Sequence, residues 1–188
     1  MKVAFIGTHG TGKTTLCYDF ASLIKKRGFS ISIVSEVSRE AIKRGLPINE
    51  NTTVDAQGWI LLNQMGKEIE ASHESQVVVC DRSVLDNYIY LLNRFGPSKF
   101  YEDIIFSWLK ANPYDFLFKV PIVGNPEHDG VRATDVKFQR EIDKKLDQFI
   151  KEKNIKCVYL SPESRDVWIN IIEKEIIKQT SFSKFLRK

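Results

Sequence analysis

Eight consecutive residues, Gly7-Thr8-His9-Gly10-Thr11-Gly12-Lys13-Thr14, satisfy the pattern G-x-x-x-x-G-K-[ST] at every fixed position. The chemistry of that spacing is phosphate binding. Its glycines let successive backbone N–H groups turn toward an anion, and a helix beginning near the lysine adds its positive dipole end. Lys13 is placed to reach the β- and γ-phosphates of a nucleoside triphosphate, and the Thr14 hydroxyl to ligate Mg²⁺. With Thr15, the whole stretch from Gly7 is the expected nucleotide cradle. His9 occupies a variable position and is given no chemistry of its own. Lys13 is expected to be exposed when the loop is empty.

Three more segments carry groups suited to the same reaction. Val77-Val78-Val79-Cys80 leads into Asp81-Arg82-Ser83. A carboxylate at the end of a buried strand can hold Mg²⁺ directly or through water, and Arg82 would then lie beside the transferred phosphoryl group. The competing reading has Asp81 capping a helix that starts near Val84. Glu36 and Arg39 follow the run Val34-Ser35. There Glu36 is a candidate base or orienter for an attacking hydroxyl, and Arg39 a clamp for an anionic acceptor. A solvated turn with an ion pair is the alternative. The stretch Val123 to Arg132, continuing to Arg140, has the length and glycine content of a lid. Arg132 and Arg140 would close over the phosphates, unless the stretch is only a surface loop. Gln57 and Gln64 stand seven apart, on one face of a helix, and can pair with a base edge.

The elements that must position these groups alternate short β-rich runs with helical periodicity, the pattern of a parallel α/β sheet. Strands are predicted at Lys2–Ile6, Ser30–Val34, Gln76–Cys80, Asp115–Val120 and Lys156–Leu160. Helices are predicted at Lys13–Arg27, Arg39–Arg44, Val54–His73, Val84–Phe95, Lys99–Lys110, Val136–Lys153 and Ser164–Lys178. No repeat or low-complexity stretch divides the chain, and 188 residues suit one domain, 1–188. Trp59, Trp108 and Trp168 read as core packing, His73 and His128 as surface residues, and Ser181–Lys188 as a frayed helix end.

Composition narrows the class further. Hydrophobic residues are 43% and charged residues 28%, and no apolar run approaches the roughly 18 residues needed to span a membrane. The start, Met1 to Gly7, is too short in its apolar part for a signal peptide. Cys17, Cys80 and Cys157 lie far apart, as reduced core thiols of a cytoplasmic protein would. A net charge of +4 accommodates an anionic small molecule but is too mild to argue for nucleic acid. A homodimer is left open.

In the order and spacing of its motifs the chain resembles the P-loop nucleoside and nucleotide kinases across nearly its whole length. The residues concerned are the Gly7–Thr14 loop, Glu36, Asp81-Arg82-Ser83 and Asp129-Gly130-Val131-Arg132. Within that group it is most similar to the compact NadR-like kinase/ATPase family of the AAA_28 type, whose namesake phosphorylates nicotinamide riboside. Deoxynucleoside kinases carry Glu-Arg-Ser where this chain has Asp81-Arg82-Ser83; thymidylate kinases carry Asp-Arg followed by Tyr or Phe. The resemblance implies a three-layer fold with a five-stranded parallel sheet in the order 2-3-1-4-5 and a lid near residues 123–136. It also implies phosphoryl transfer from ATP with Mg²⁺ to a nucleoside or nucleoside monophosphate, with an NTPase or nucleotide-dependent switch as the alternative.

Overall fold

Val3, Ala4, Phe5 and Ile6 are all fully buried, as a strand covered on both faces requires. They belong to β1 (Lys2–Ile6) in a computed structural model that describes residues 1–124 and 135–178. The side chains of β1 alternate between two cores. Val3 and Phe5 pack with α1 (Lys13–Lys26) and α7 (Trp168–Lys178). Ala4 and Ile6 pack with α3 (Val54–Glu74), α4 (Val84–Phe95) and α6 (Val136–Glu152), with residues of α5 (Lys99–Ala111) adding to that side. This period-two division makes three layers: helices, sheet, helices. The small α2 (Val37–Lys43) packs on α3 through Val37, Ala41 and Ile60.

The sheet has five parallel strands in the order β2-β3-β1-β4-β5, the order the resemblance implies. Here β2 is Ile31–Val34, β3 is Val77–Asp81, β4 is Phe116–Lys119 and β5 is Val158–Tyr159. Phe5 pairs in register with Asp81 and Ile6 with Lys119, so the ends of β3, β1 and β4 stand level. Ligands of such sheets gather at these carboxyl ends. The loops that leave them here are the ones carrying Gly7–Gly12, Arg82-Ser83 and Pro121–Gly124.

Two expectations change. The last helix is shorter than expected: Pro162–Val167 forms a short 3₁₀ turn, with non-helical backbone at Ser164 inside it, and α7 begins only at Trp168. The Trp168 indole, donating to Ser161 O at 2.8 Å, anchors that corner. β5 shortens to two residues because only Phe118 and Lys119 are available to pair with it. Most of the expected lid, including Arg132, lies outside the described residues, as do His128 and Ser181–Lys188. Among the described residues no helix is long and apolar enough to cross a membrane. All three cysteines are free thiols.

Candidate active site

Gly7 opens the loop after β1 at φ +145°, and a Cβ there would meet Val120 O at 2.7 Å. Only glycine fits between the loop and the exit of β4. The loop closes at Gly12, which is left-handed and forms the N-cap of α1, leaving the first N–H groups of the helix facing the turn. Lys13 corrects the sequence expectation, because it is buried. Its Nζ folds back to donate to Thr8 O and, at 3.1 Å, to Thr11 Oγ1. Desolvation, helped by the neighbouring Arg82 charge, lowers its pKa to about 8. Thr14 Oγ1 donates to Asp81 Oδ2 at 2.6 Å, while Thr15 is exposed.

Asp81 does not cap α4. Ser83 does, in a reciprocal box: its side chain accepts from Leu85 N at 3.1 Å, and Asp86 Oδ2 accepts from Ser83 N at 2.8 Å. Asp81 is left at the end of β3 with Thr14. Burial first, and then the nearby Glu36 charge, push its carboxyl above the usual range. Asp86 has a second task, since its Oδ1 accepts from Gly7 N at 2.8 Å and ties the phosphate loop to the start of α4. Sequence reasoning passed over Asp86; the Ser83-x-x-Asp86 spacing was the available signal.

Arg82 sits at φ +87°, a conformation uncommon for a residue with a side chain. Its Nε donates to Glu36 Oε1 at 2.8 Å, its Nη1 to Gly7 O at 3.4 Å, and its guanidinium lies 5.3 Å from the Tyr90 ring centroid. Glu36, at the end of β2 and the N-cap of α2, also accepts from Ser38 Oγ at 2.9 Å. Arg39 Nε lies 3.3 Å from its other oxygen. Burial would raise the Glu36 pKa, but Arg82 and Lys13 overcome it and hold the carboxyl far below the ordinary range. This is a buried charge cluster, not the solvated turn weighed as the alternative.

Glu36 and Arg82 form one wall of a narrow cleft beside the phosphate loop. Ile48, Ile60 and Tyr90 give it apolar surface, and Gln57 and Asn87 give it amides. Gln57 Nε2 donates to Thr52 Oγ1 at 2.8 Å, whereas Asn87 Nδ2 is buried with no partner among the described residues. Gln64, on the same face of α3 but two turns on, is absent from the cleft lining. It is turned inward, toward Glu68 and the Arg82 carbonyl. Asn87 and Tyr90 were not singled out in the sequence, although they lie one and two turns beyond Ser83 on α4. His9 also lines the cleft and bonds Tyr90 Oη through Nδ1 at 3.1 Å. Arg140 is exposed on α6, next to Gln139, whose Nε2 donates to His9 O at 2.8 Å. The structure thus brings Lys13, Thr14, Glu36, Arg39, Asp81 and Arg82 together, with Gln57 farther out.

A parallel 2-3-1-4-5 sheet with a phosphate loop between β1 and α1 is the fold of the P-loop nucleoside and nucleotide kinases. The chain belongs to the AAA domain family AAA_28, whose model matches residues 2–166. A comparison with curated proteins found no match. Among solved structures, it is similar to a deoxyadenosine kinase from M. mycoides with the products dCMP and a flexible dCDP bound. That likeness has a TM-score of 0.60 at 16% identity and covers 95% of this chain and 100% of that one. It is also similar to a deoxyadenosine kinase structure from M. mycoides with dATP bound, at a TM-score of 0.60 and 14% identity over 93% of this chain and 98% of the other.

Proposed function

We propose that the protein transfers the γ-phosphoryl group of ATP to the 5′-hydroxyl of a nucleoside, with a nucleoside monophosphate as the competing acceptor. The observation that carries this reading is the buried Glu36, bridged to Arg82 and Arg39, at the junction of the phosphate loop and a second cleft with apolar walls and side-chain amides. Hydrolysis alone needs no such cleft. Nucleotides bound by structures of the same fold support the choice of acceptor class.

The residues divide the work by position. The N–H groups of the Thr8–Gly12 turn and of the start of α1 receive the phosphates, the Gly7 N–H being engaged by Asp86. Lys13, released from Thr8 O, offers its ammonium to the β- and γ-oxygens. Thr14 Oγ1 and Asp81 Oδ2 are two neighbouring oxygen donors, the kind that the hard cation Mg²⁺ takes when phosphates and water supply the rest of its coordination. Bound there, Mg²⁺ would neutralise charge on the phosphates. Arg82 lies between this pair and Glu36. The acceptor oxygen forms a bond to the γ-phosphorus as the bond to the bridging oxygen breaks, and ADP leaves. The hydroxyl proton departs late in a loose transition state, so a strong base is unnecessary. Glu36, held ionised, orients that hydroxyl and receives or passes on its proton. Arg140, and Arg132 beyond the described residues, remain candidates to close over the phosphates. Three free thiols suit a reducing, cytoplasmic setting.

The test is a panel of nucleosides and nucleoside monophosphates with Mg-ATP, read as ADP release above the rate without acceptor. Release that no acceptor stimulates would put the hydrolytic switch ahead.

A further inference from the structure

The turn Asp81-Arg82-Ser83 aims the arginine of the site, yet Arg82 is in left-handed backbone that a non-glycine residue keeps only where its surroundings impose it. On one side, Arg82 N donates to Phe5 O at 3.1 Å, and Ser83 is boxed with Asp86. On the other side, toward α3, stands a set of buried polar side chains for which phosphoryl transfer has no direct use. Gln64 Nε2 donates to Arg82 O at 3.4 Å and to Glu68 Oε1 at 2.9 Å. The Tyr114 hydroxyl accepts from Val84 N at 3.1 Å and donates to the same Glu68 Oε1 at 2.5 Å. One carboxylate oxygen therefore collects both side chains that grip the turn, one before Ser83 and one after it.

The other carboxylate oxygen is fixed from below. Lys2 Nζ lies 2.8 Å from Glu68 Oε2 and donates to Asn112 O, and its ammonium stands 4.3 Å from the Tyr114 ring centroid. The Trp108 indole N–H reaches Oε2 at 3.4 Å. Gln64 and Glu68 are each 1% exposed. Simple packing would fill this space with apolar residues, since a buried ion pair is often no more stabilising than well-packed hydrophobic residues of similar volume. Gln64 Oε1 has no partner among the described residues, so the amide is held only by the two bonds of its nitrogen.

We propose that Glu68, through Gln64 and Tyr114, is a positioning residue that holds the Arg82 turn and thereby aims the Arg82 guanidinium at Glu36 and the phosphate loop. The inference rests on the phosphoryl-transfer reading for its catalytic consequence, but the brace has a readout of its own. The Nε–H of Arg82, bonded to buried Glu36, should give a protected, downfield NMR resonance in the ligand-free protein. Gln64→Met and Tyr114→Phe each remove one strut and keep side-chain volume. Ile105→Val, in the same core and outside the network, is the control for general loosening.

Each brace variant should shift the Arg82 Nε–H resonance or speed its exchange, and lower kcat about tenfold while leaving the KM for ATP within about twofold. The double variant should lose little more than the worse single one, as residues of one unit do. Ile105→Val should do neither. An Arg82 resonance unmoved by both brace variants overturns the proposal. So does a moved resonance with unchanged kcat, or an equal loss of kcat in the control. Should Gln64→Met fail to fold, Tyr114→Phe, which lacks only a hydroxyl, carries the same test. If the unaltered protein shows no acceptor-dependent turnover, the functional reading fails while the resonance still decides the brace.

Discussion

Glu36 Oε1 and Arg82 Nε lie 2.8 Å apart, both side chains 7% exposed, and Arg39 reaches the other Glu36 oxygen. A carboxylate so placed is a strong orienting group and a weak base. That relationship sharpens the question of which acceptor the cleft takes.

Glu36→Gln should lower acceptor-dependent kcat by about 10²-fold for a nucleoside, whose hydroxyl must be aligned and lose a proton. For a monophosphate, already ionised, the loss should be small, and Arg39→Ala should raise KM instead. Steady-state kinetics of both variants with the better acceptor of each class separate the cases. If neither variant changes the acceptor-dependent rate, the cleft is not the acceptor site.

Lys13→Ala should reduce phosphoryl transfer by about 10²- to 10³-fold, the scale on which removing one electrostatic contact to the transition state acts. Burial of the Lys13 ammonium opposes folding of the empty protein at neutral pH, so the variant should stay folded and unfold no more readily than the unaltered protein. A folded variant with most of its rate would remove the loop from the chemistry.

The depressed pKa of Lys13 has a pH signature. The empty site holds the amine near 8, whereas an unfolded lysine titrates near 10.5. Phosphates favour the charged form, so metal-free ATP binding should weaken as pH rises above 8, approaching tenfold per unit. In the same window the unfolded chain binds more protons than the empty folded one, so Lys13 makes the empty protein more stable with rising pH. Calorimetric Kd values from pH 7 to 9.5 check the first statement. A flat profile rules out Lys13 as the titrating contact.

Asp81→Asn should weaken the Mg²⁺ dependence of nucleotide binding more than it weakens metal-free binding, because its carboxylate faces Thr14 and not a helix cap. Comparing Kd for ATP with and without Mg²⁺ tests this. Equal losses would mean that Asp81 only supports the loop.

Lys2→Met should destabilise the fold by about 3 kcal/mol, the low end for removing one partner of a buried ion pair, since Glu68 keeps its bonds from Gln64, Tyr114 and Trp108. Urea unfolding measures it. A change below about 1 kcal/mol would show that water reaches the pair.

Much of this was legible in the sequence wherever function is local. The Gly7–Thr14 loop writes its own backbone, and continuous apolar runs mark β1 and β3. Asp81, Arg82 and Glu36 follow their strands directly, so the sheet delivers them to one edge. What escaped depends on depth. Gln57 and Gln64 share a helical face, but periodicity does not say that this face fronts a cleft at one height and a charged core two turns on. Lys13 looked like an exposed amine because its partner, Thr8 O, comes from a backbone fold-back, and nothing local in the sequence joins Lys2 to Glu68, 66 positions away. The edge strand β5 is present where Lys156–Leu160 was expected, but it is shorter, because length depends on pairing and only Val158 and Tyr159 pair.

The contact between Gly7 and Val120 O joins two parts of the molecule that separate motifs describe. The loop proposed to grip phosphate and the chain that departs toward residues 121–124 rest on one abutment, with no slack for even a methyl group. Gly7→Ala would therefore be more than a loop lesion. It would press on the outgoing segment of β4, so a single methyl group should disturb grip and departure together.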